Sequence, residues 1–329
     1  MVTKWAGVAV VLVVVGAACG DDRVSGTTFA QPTGTVTSTT PQPSRTTTAT
    51  TMPLAYEVTR DKVYVGAASE EAQARRLDVY ASSPARNRPV VVLLHGGGAN
   101  KDDTHVATVG RQLAEAGLVV FVPTHALSGV SPAGLTAADG RPMREGFEST
   151  LCALRYAAEH ATEYGGDPGR ISVVGHSAGG FLGLIAMLGG EHVEAAWRDF
   201  GEARDTPQQV QCVSVANLPL IKGFVGYNGA YFVLLMTGLS DSDPELWALA
   251  NPRNYLTAGA AKIRLILGGN DDETPPWHID EVTRFADELR QLGYDAEIAI
   301  IEDAVHNWTT TGPIWDTTLE TILTVAAHT

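Results

Sequence analysis

Residues 175–179 read Gly-His-Ser-Ala-Gly and close a short apolar, β-branched run, Ile171-Ser172-Val173-Val174. A small apolar stretch of helical length, residues 181–188, follows. A strand that turns sharply into a helix leaves its turn residue at a tip, and the positions two either side must lack bulk. Gly175 and Gly179 meet that need, and Ser177 carries the hydroxyl. A serine hydroxyl is a weak nucleophile at neutral pH. It needs a base within hydrogen-bond reach, itself oriented by a carboxylate. On its own the pentapeptide also suits a glycine-rich turn with no chemistry. A second glycine cluster, His95-Gly96-Gly97-Gly98, follows the apolar run at residues 89–94. Consecutive glycines let the backbone approach a ligand and aim N–H groups at it. Such a loop could instead cradle phosphate, but no Lys-Ser/Thr follows as in a P-loop.

Together these stretches resemble the nucleophile elbow and the His-Gly-Gly-Gly oxyanion loop of the α/β-hydrolase superfamily, in its carboxylesterase and lipase branch. The run Tyr164-Gly165-Gly166-Asp167-Pro168 is similar to the approach to the elbow in the same branch. The resemblance covers nearly all of residues 55–329. It departs at His176, where hormone-sensitive-lipase-like enzymes commonly carry Asp. It implies Ser177 as nucleophile, with the N–H of Gly97 or Gly98 joining that of Ala178 in an oxyanion hole. It also implies the chain order Ser, then Asp or Glu, then His. After the apolar run 263–267 comes Gly268-Gly269-Asn270-Asp271-Asp272-Glu273-Thr274-Pro275. The family pattern is a glycine, two residues, the acid and a proline four further on. Asp271 fits that register, and Asp272 and Glu273 read as a solvated acidic turn. The family places its base a few residues past the last strand, where His306 stands. Among nine histidines, His278 follows the acid too soon, His328 is at the chain end, and His176 flanks the nucleophile.

The activity so implied is hydrolysis of small-molecule or polymer-borne carboxylic esters through an acyl-enzyme. Feruloyl, acetylxylan, short-chain lipase and general carboxylesterase substrates stay open. No metal or organic cofactor is implied, because no ligand cluster with metal spacing occurs. Two rivals remain: a prolyl-oligopeptidase-type peptidase using the same triad, and a non-catalytic envelope protein on a hydrolase scaffold.

Strands and helices must position these residues. Residues 56–65 and 75–81 read as an opening antiparallel hairpin with a turn over 66–71. Further strands are expected at 89–94, 118–122, up to the elbow, 221–227, 263–267 and 296–301. Helices are expected at 106–116, 144–160, 181–188, 283–292 and 315–327, with 191–219 polar and irregular. Strands alternating with helices imply an α/β-hydrolase fold: a mostly parallel eight-stranded sheet with helices on both faces and a small cap. The loop 125–143 is long enough to help line a pocket. In the cap interval, Tyr231 to Met236 and Trp247 suit an acyl-pocket wall or a core helix equally.

The hydrolase domain, residues 55–329, has the length of one large α/β domain. Acidic residues number 37 against 23 basic with no basic run, which argues against a nucleic-acid partner. Residues 1–19 read as a signal peptide: Lys4, then an apolar run too short to span a bilayer. The ending Gly16-Ala17-Ala18-Cys19 resembles a bacterial lipoprotein processing site, which implies lipid on Cys19 and an outward-facing membrane anchor. Gly16 departs from the usual Leu, Val or Ile, and ordinary cleavage with secretion is the alternative. Residues 20–54 form a Thr/Pro-rich tether, with 12 threonines between Thr27 and Thr51, expected to stay disordered. Cys152 and Cys212 could then pair as a disulfide in an oxidising compartment, or stay as separate buried thiols.

Overall fold

The computed structural model describes residues 54–67, 74–82, 86–130, 140–204, 210–232 and 242–329. All of them belong to the second of the two units into which the chain divides, Thr51–Thr329. The expected leader with Cys19, the tether up to residue 53, and parts of the 66–71 turn, the 125–143 loop and the cap interval lie outside the described residues.

β1 (Tyr56–Ala67) and β2 (Arg75–Ser82) form the expected antiparallel hairpin, with Tyr56 opposite Ser82. β3 (Arg88–Leu94), β4 (Val119–Pro123) and β5 (Gly166–His176) run parallel to one another, and β2 joins them antiparallel through β4. A three-residue β6 (Val210–Cys212) pairs antiparallel with β1. β7 (Gly223–Tyr227), β8 (Lys262–Gly268) and β9 (Asp295–Ile301) extend the parallel part. The sheet order is β6-β1-β2-β4-β3-β5-β7-β8-β9, nine strands among the described residues where eight were expected. The extra one is β6. It is too short to show an alternation, and only its partner, with Val65 opposite Cys212, makes it a strand.

Successive side chains of a strand point to opposite faces. On β3, Val90, Val92 and Leu94 enter one core cluster, and Val91 and Leu93 the other. Burial on both sides is why an unbroken apolar run, rather than an alternating one, encodes the central strands. α1 (Thr104–Glu115) is capped by Asp103, whose carboxylate accepts from His105 N and Val106 N. α2 (Arg141–His160) and α3 (Ala178–Gly189) flank the elbow. α4 (Glu191–Ala203) and α5 (Pro244–Ala250) follow, then α6 (Trp277–Gln291) and α7 (Gly312–Ala327). α1 and α7 cover the Val91 face, and α2 to α6 supply the other.

α4 corrects the irregular stretch expected from residue 191 onward. Val193, Trp197 and Phe200 recur at helical spacing and are buried, with Trp197 stacked on Phe147 at 5.0 Å. α2 and α6 each begin earlier than expected, at Arg141 and Trp277. In the cap interval, Tyr231 and Phe232 are core residues and Trp247 packs against that core. Val233 to Met236 lie outside the described residues. Cys152 on α2 and Cys212 on β6 are joined by a disulfide, their Cα atoms 4.9 Å apart.

Candidate active site

Because β3, β5, β7, β8 and β9 are parallel, the residues that follow them converge at one rim of the sheet. These are His95, Ser177, Asn228, Asp271 and His306. At the end of β5 the chain reverses into α3 through Ser177, whose φ of 50° and ψ of −117° lie in a region costly for a non-glycine residue. A Cβ on Gly175 would sit 2.5 Å from Gly179 O, and one on Gly179 would drive into the carbonyl oxygens of Leu94 and His95. Tight packing of β3, β5 and α3 therefore holds the turn that lifts the serine hydroxyl.

Ser177 Oγ lies 2.9 Å from His306 Nε2, and His306 Nδ1 lies 2.9 Å from Asp271 Oδ2. The partners define the tautomer: Nδ1–H donates to the carboxylate, and Nε2 accepts from the serine hydroxyl. Asp271 Oδ1 accepts from the N–H groups of Glu273 and Thr274 at 2.9 and 3.2 Å. Burial pushes the Asp271 carboxyl up, but the His306 hydrogen bond and charge with these two N–H donors outweigh it and hold the group below its ordinary value. It is thus ionised at neutral pH, as an orienting carboxylate must be. Asp272 is exposed. Glu273, assigned from sequence to a solvated acidic turn, is 57% exposed, yet its Oε2 comes within 3.6 Å of His306 Nε2.

Two residues assigned no role from the sequence hold the His306 loop in place. His176 is buried, and its Nε2 donates to His306 O at 2.8 Å. Asn228, with φ of 45°, donates from Nδ2 to Val305 O and His306 O at 2.7 and 3.0 Å. Its Oδ1 accepts from Gly268 N at 2.6 Å. A polar pair at the ends of β5 and β7 carries no local signal, because its partner is about eighty residues or more away in sequence.

The His95 loop is held by a second histidine pair. His95 donates from Nδ1 to Gly96 O at 2.7 Å and accepts at Nε2 from His125 N. His125 donates from Nε2 to His95 O at 2.8 Å and accepts at Nδ1 from Leu127 N. The rings stack at 3.8 Å. Each ring uses one donor and one acceptor, so both are neutral. Burial, against the pull of the Gly96 carbonyl, pushes His95 down to about 4, and burial drives His125 well below the usual range. Burial, with the nearby His306, takes His176 to about 3.

Gly97 lies beside Ala178, since a Cβ on Gly97 would be 3.7 Å from that of Ala178. Among the described residues, no acceptor engages the N–H groups of Gly97, Gly98 and Ala178. At Ala178 this follows from its place in the first turn of α3. Gly97 and Gly98, with Ser177, Glu273, His306 and Trp308, line a pocket of about 420 Å³. A larger cavity, about 610 Å³, lies at the opposite ends of the strands around Ser82, Asn87 and Gly166. Among the described residues that line it, no nucleophile and base are in hydrogen-bond contact.

The profile of the BD-FAE family matches residues 77–282. Carboxylesterase NlhH of Mycobacterium tuberculosis is 36% identical over 101 residues, 30% of this chain and 28% of its own length. Human carboxylesterase 3 is 38% identical over 116 residues, 33% of this chain and 20% of its own. The chain thus spans less than a third of the length of these relatives. A butyrate-bound esterase of Thermogutta terrifontis superposes with a TM-score of 0.59 at 18% identity, over 81% of this chain and 94% of that one. At that identity the likeness is one of fold, and the fold is that of the α/β-hydrolases.

Proposed function

Since the chain belongs to the BD-FAE family, we propose that it is an exported serine hydrolase of carboxylic esters. The observation that carries this is the unbroken hydrogen-bond chain from Ser177 through His306 to Asp271 at the wall of an open pocket. Ser177 Oγ attacks the acyl carbon while His306 Nε2 takes its proton. Asp271 keeps the ring in the tautomer that can accept it and stabilises the imidazolium that forms. The N–H of Ala178 and that of Gly97 or Gly98 face the oxygen on which negative charge develops. His306 then protonates the departing alcohol, and water repeats the sequence on the acyl-enzyme.

Relatives described as carboxylesterases support the ester assignment. Export is supported by the apolar leader and Cys19, and by the Thr/Pro-rich segment after it, which would serve as a tether to a lipid anchor. The test is turnover of p-nitrophenyl acetate and butyrate by the purified protein. Ser177→Ala is expected to lower kcat by about a million-fold. Activity near the wild-type level in that variant overturns the nucleophile, and faster cleavage of an aminoacyl-p-nitroanilide than of either ester reassigns the protein as a peptidase.

A further inference from the structure

We propose that Glu273 sets the charge preference on the alcohol side of this site, favouring esters whose leaving alcohol carries a positive charge close to the ester oxygen and rejecting anionic alcohols. This rests on the ester-hydrolase function proposed above. When the alcohol is expelled, His306 Nε2 must hand its proton to the leaving oxygen, which brings that oxygen to about 3 Å from the nitrogen. Glu273 Oε2 is 3.6 Å from the same nitrogen. The carbon atoms bonded to the leaving oxygen therefore pass beside the Glu273 carboxylate, whatever the acyl chain.

That carboxylate is not neutralised. Among the described residues, no lysine or arginine lies within ion-pair distance of it. The described lining of the pocket contains a second carboxylate, Asp103, and no lysine or arginine. Asp103 caps α1 and keeps its charge, but Glu273 is the carboxylate beside His306 Nε2, where the leaving oxygen passes. Unit charges about 5 Å apart in a partly wet pocket interact strongly enough to change a rate by about tenfold, and opposite signs of substrate charge move it in opposite directions. Full solvent screening of the exposed carboxylate would shrink this to a factor of about two. A twofold or smaller compression in Glu273→Gln therefore overturns the inference.

Three acetyl thioesters share an acyl group and a thiol-release readout. They are acetylthiocholine, its neutral isostere 3,3-dimethylbutyl thioacetate, and the anionic S-acetyl-3-mercaptopropionate. At low ionic strength the wild-type order of kcat/KM is expected to be cationic, neutral, anionic. Glu273→Gln is expected to compress the ratio of cationic to anionic substrate by about tenfold. Asp272→Asn, which removes an adjacent exposed charge outside the pocket lining, is expected to leave that ratio unchanged. An unchanged ratio in Glu273→Gln, or an equal change in Asp272→Asn, overturns the inference while ester hydrolysis stands. A folded wild-type protein that turns over none of the three, the neutral thioester included, instead removes the ester-hydrolase function and this inference with it.

Discussion

Asp271 and Asp272 are adjacent residues of one type, and only the first meets a base. On the mechanism proposed, Asp271→Asn destroys the tautomer control and lowers kcat by about ten-thousand-fold, while Asp272→Asn stays within about twofold. Hydrolysis of p-nitrophenyl butyrate by the two variants checks this, and the reverse order would move the acid by one residue. The buried histidines give a second expectation. His95 and His176, pushed down to about 4 and about 3, and His125, driven well below the usual range, are neutral in the fold. They gain protons on unfolding below the ordinary value of about 6.5. From pH 6.5 down to about 4 the unfolded chain binds more protons, so stability falls as pH falls, by about 1 to 2 kcal/mol for each ring at pH 5. Burial raises the Glu148 carboxyl, which acts in the opposite sense, one group against four, since burial lowers His278 as well. Urea midpoints at pH 7.5 and pH 5.0 should show the drop, and equal midpoints would contradict it. Ser177, Asp271 and His306 were legible in the sequence because motif and chain order mark them. Asn228 and the reach of Glu273 to His306 were not, because each depends on a meeting of segments that no local pattern records.

Elements carry the site through packing. The elbow stores backbone strain of about 1–3 kcal/mol at Ser177, and the contact of α3 with β3 and β5 holds it. Gly179→Ala would force a methyl against the backbone at the end of β3 and should cost about 1–3 kcal/mol or more, read as a lowered denaturation midpoint. A midpoint equal to the wild type would mean the turn is not packed as described. The Cys152–Cys212 bridge ties α2 to β6 across 60 residues, and a closed loop of that length stabilises by about 4 kcal/mol in the chain-entropy treatment. Reduction, or Cys152→Ala with Cys212→Ala, should therefore lower the midpoint markedly, and an unchanged midpoint would remove the bridge from the account. The central strands were legible from their apolar runs. β6 was not, since three residues show no period and its edge position is decided by β1. α4 had a readable signal in Val193, Trp197 and Phe200, masked by the charged residues between them.

At the scale of the molecule, the parallel order of β3, β5, β7, β8 and β9 gathers residues as far apart as His95 and His306 at one rim. A net charge of −14 and an acidic pocket rim fit an enzyme that meets neutral or cationic substrates better than anionic ones. The proposed export and anchoring belong to residues 1–54. Metabolic labelling with a clickable fatty acid should tag the protein, and Cys19→Ser should abolish the tag. An untagged wild-type protein shed into the medium would contradict the anchor. The central claim is that the fold activates Ser177 through His306. Its most direct measurement is labelling by a fluorophosphonate, located by peptide mass spectrometry. One label per chain is expected on Ser177, slowed by several orders of magnitude in His306→Ala; a protein that is folded yet unlabelled, or labelled at the same rate without His306, would show that the triad does not activate the serine.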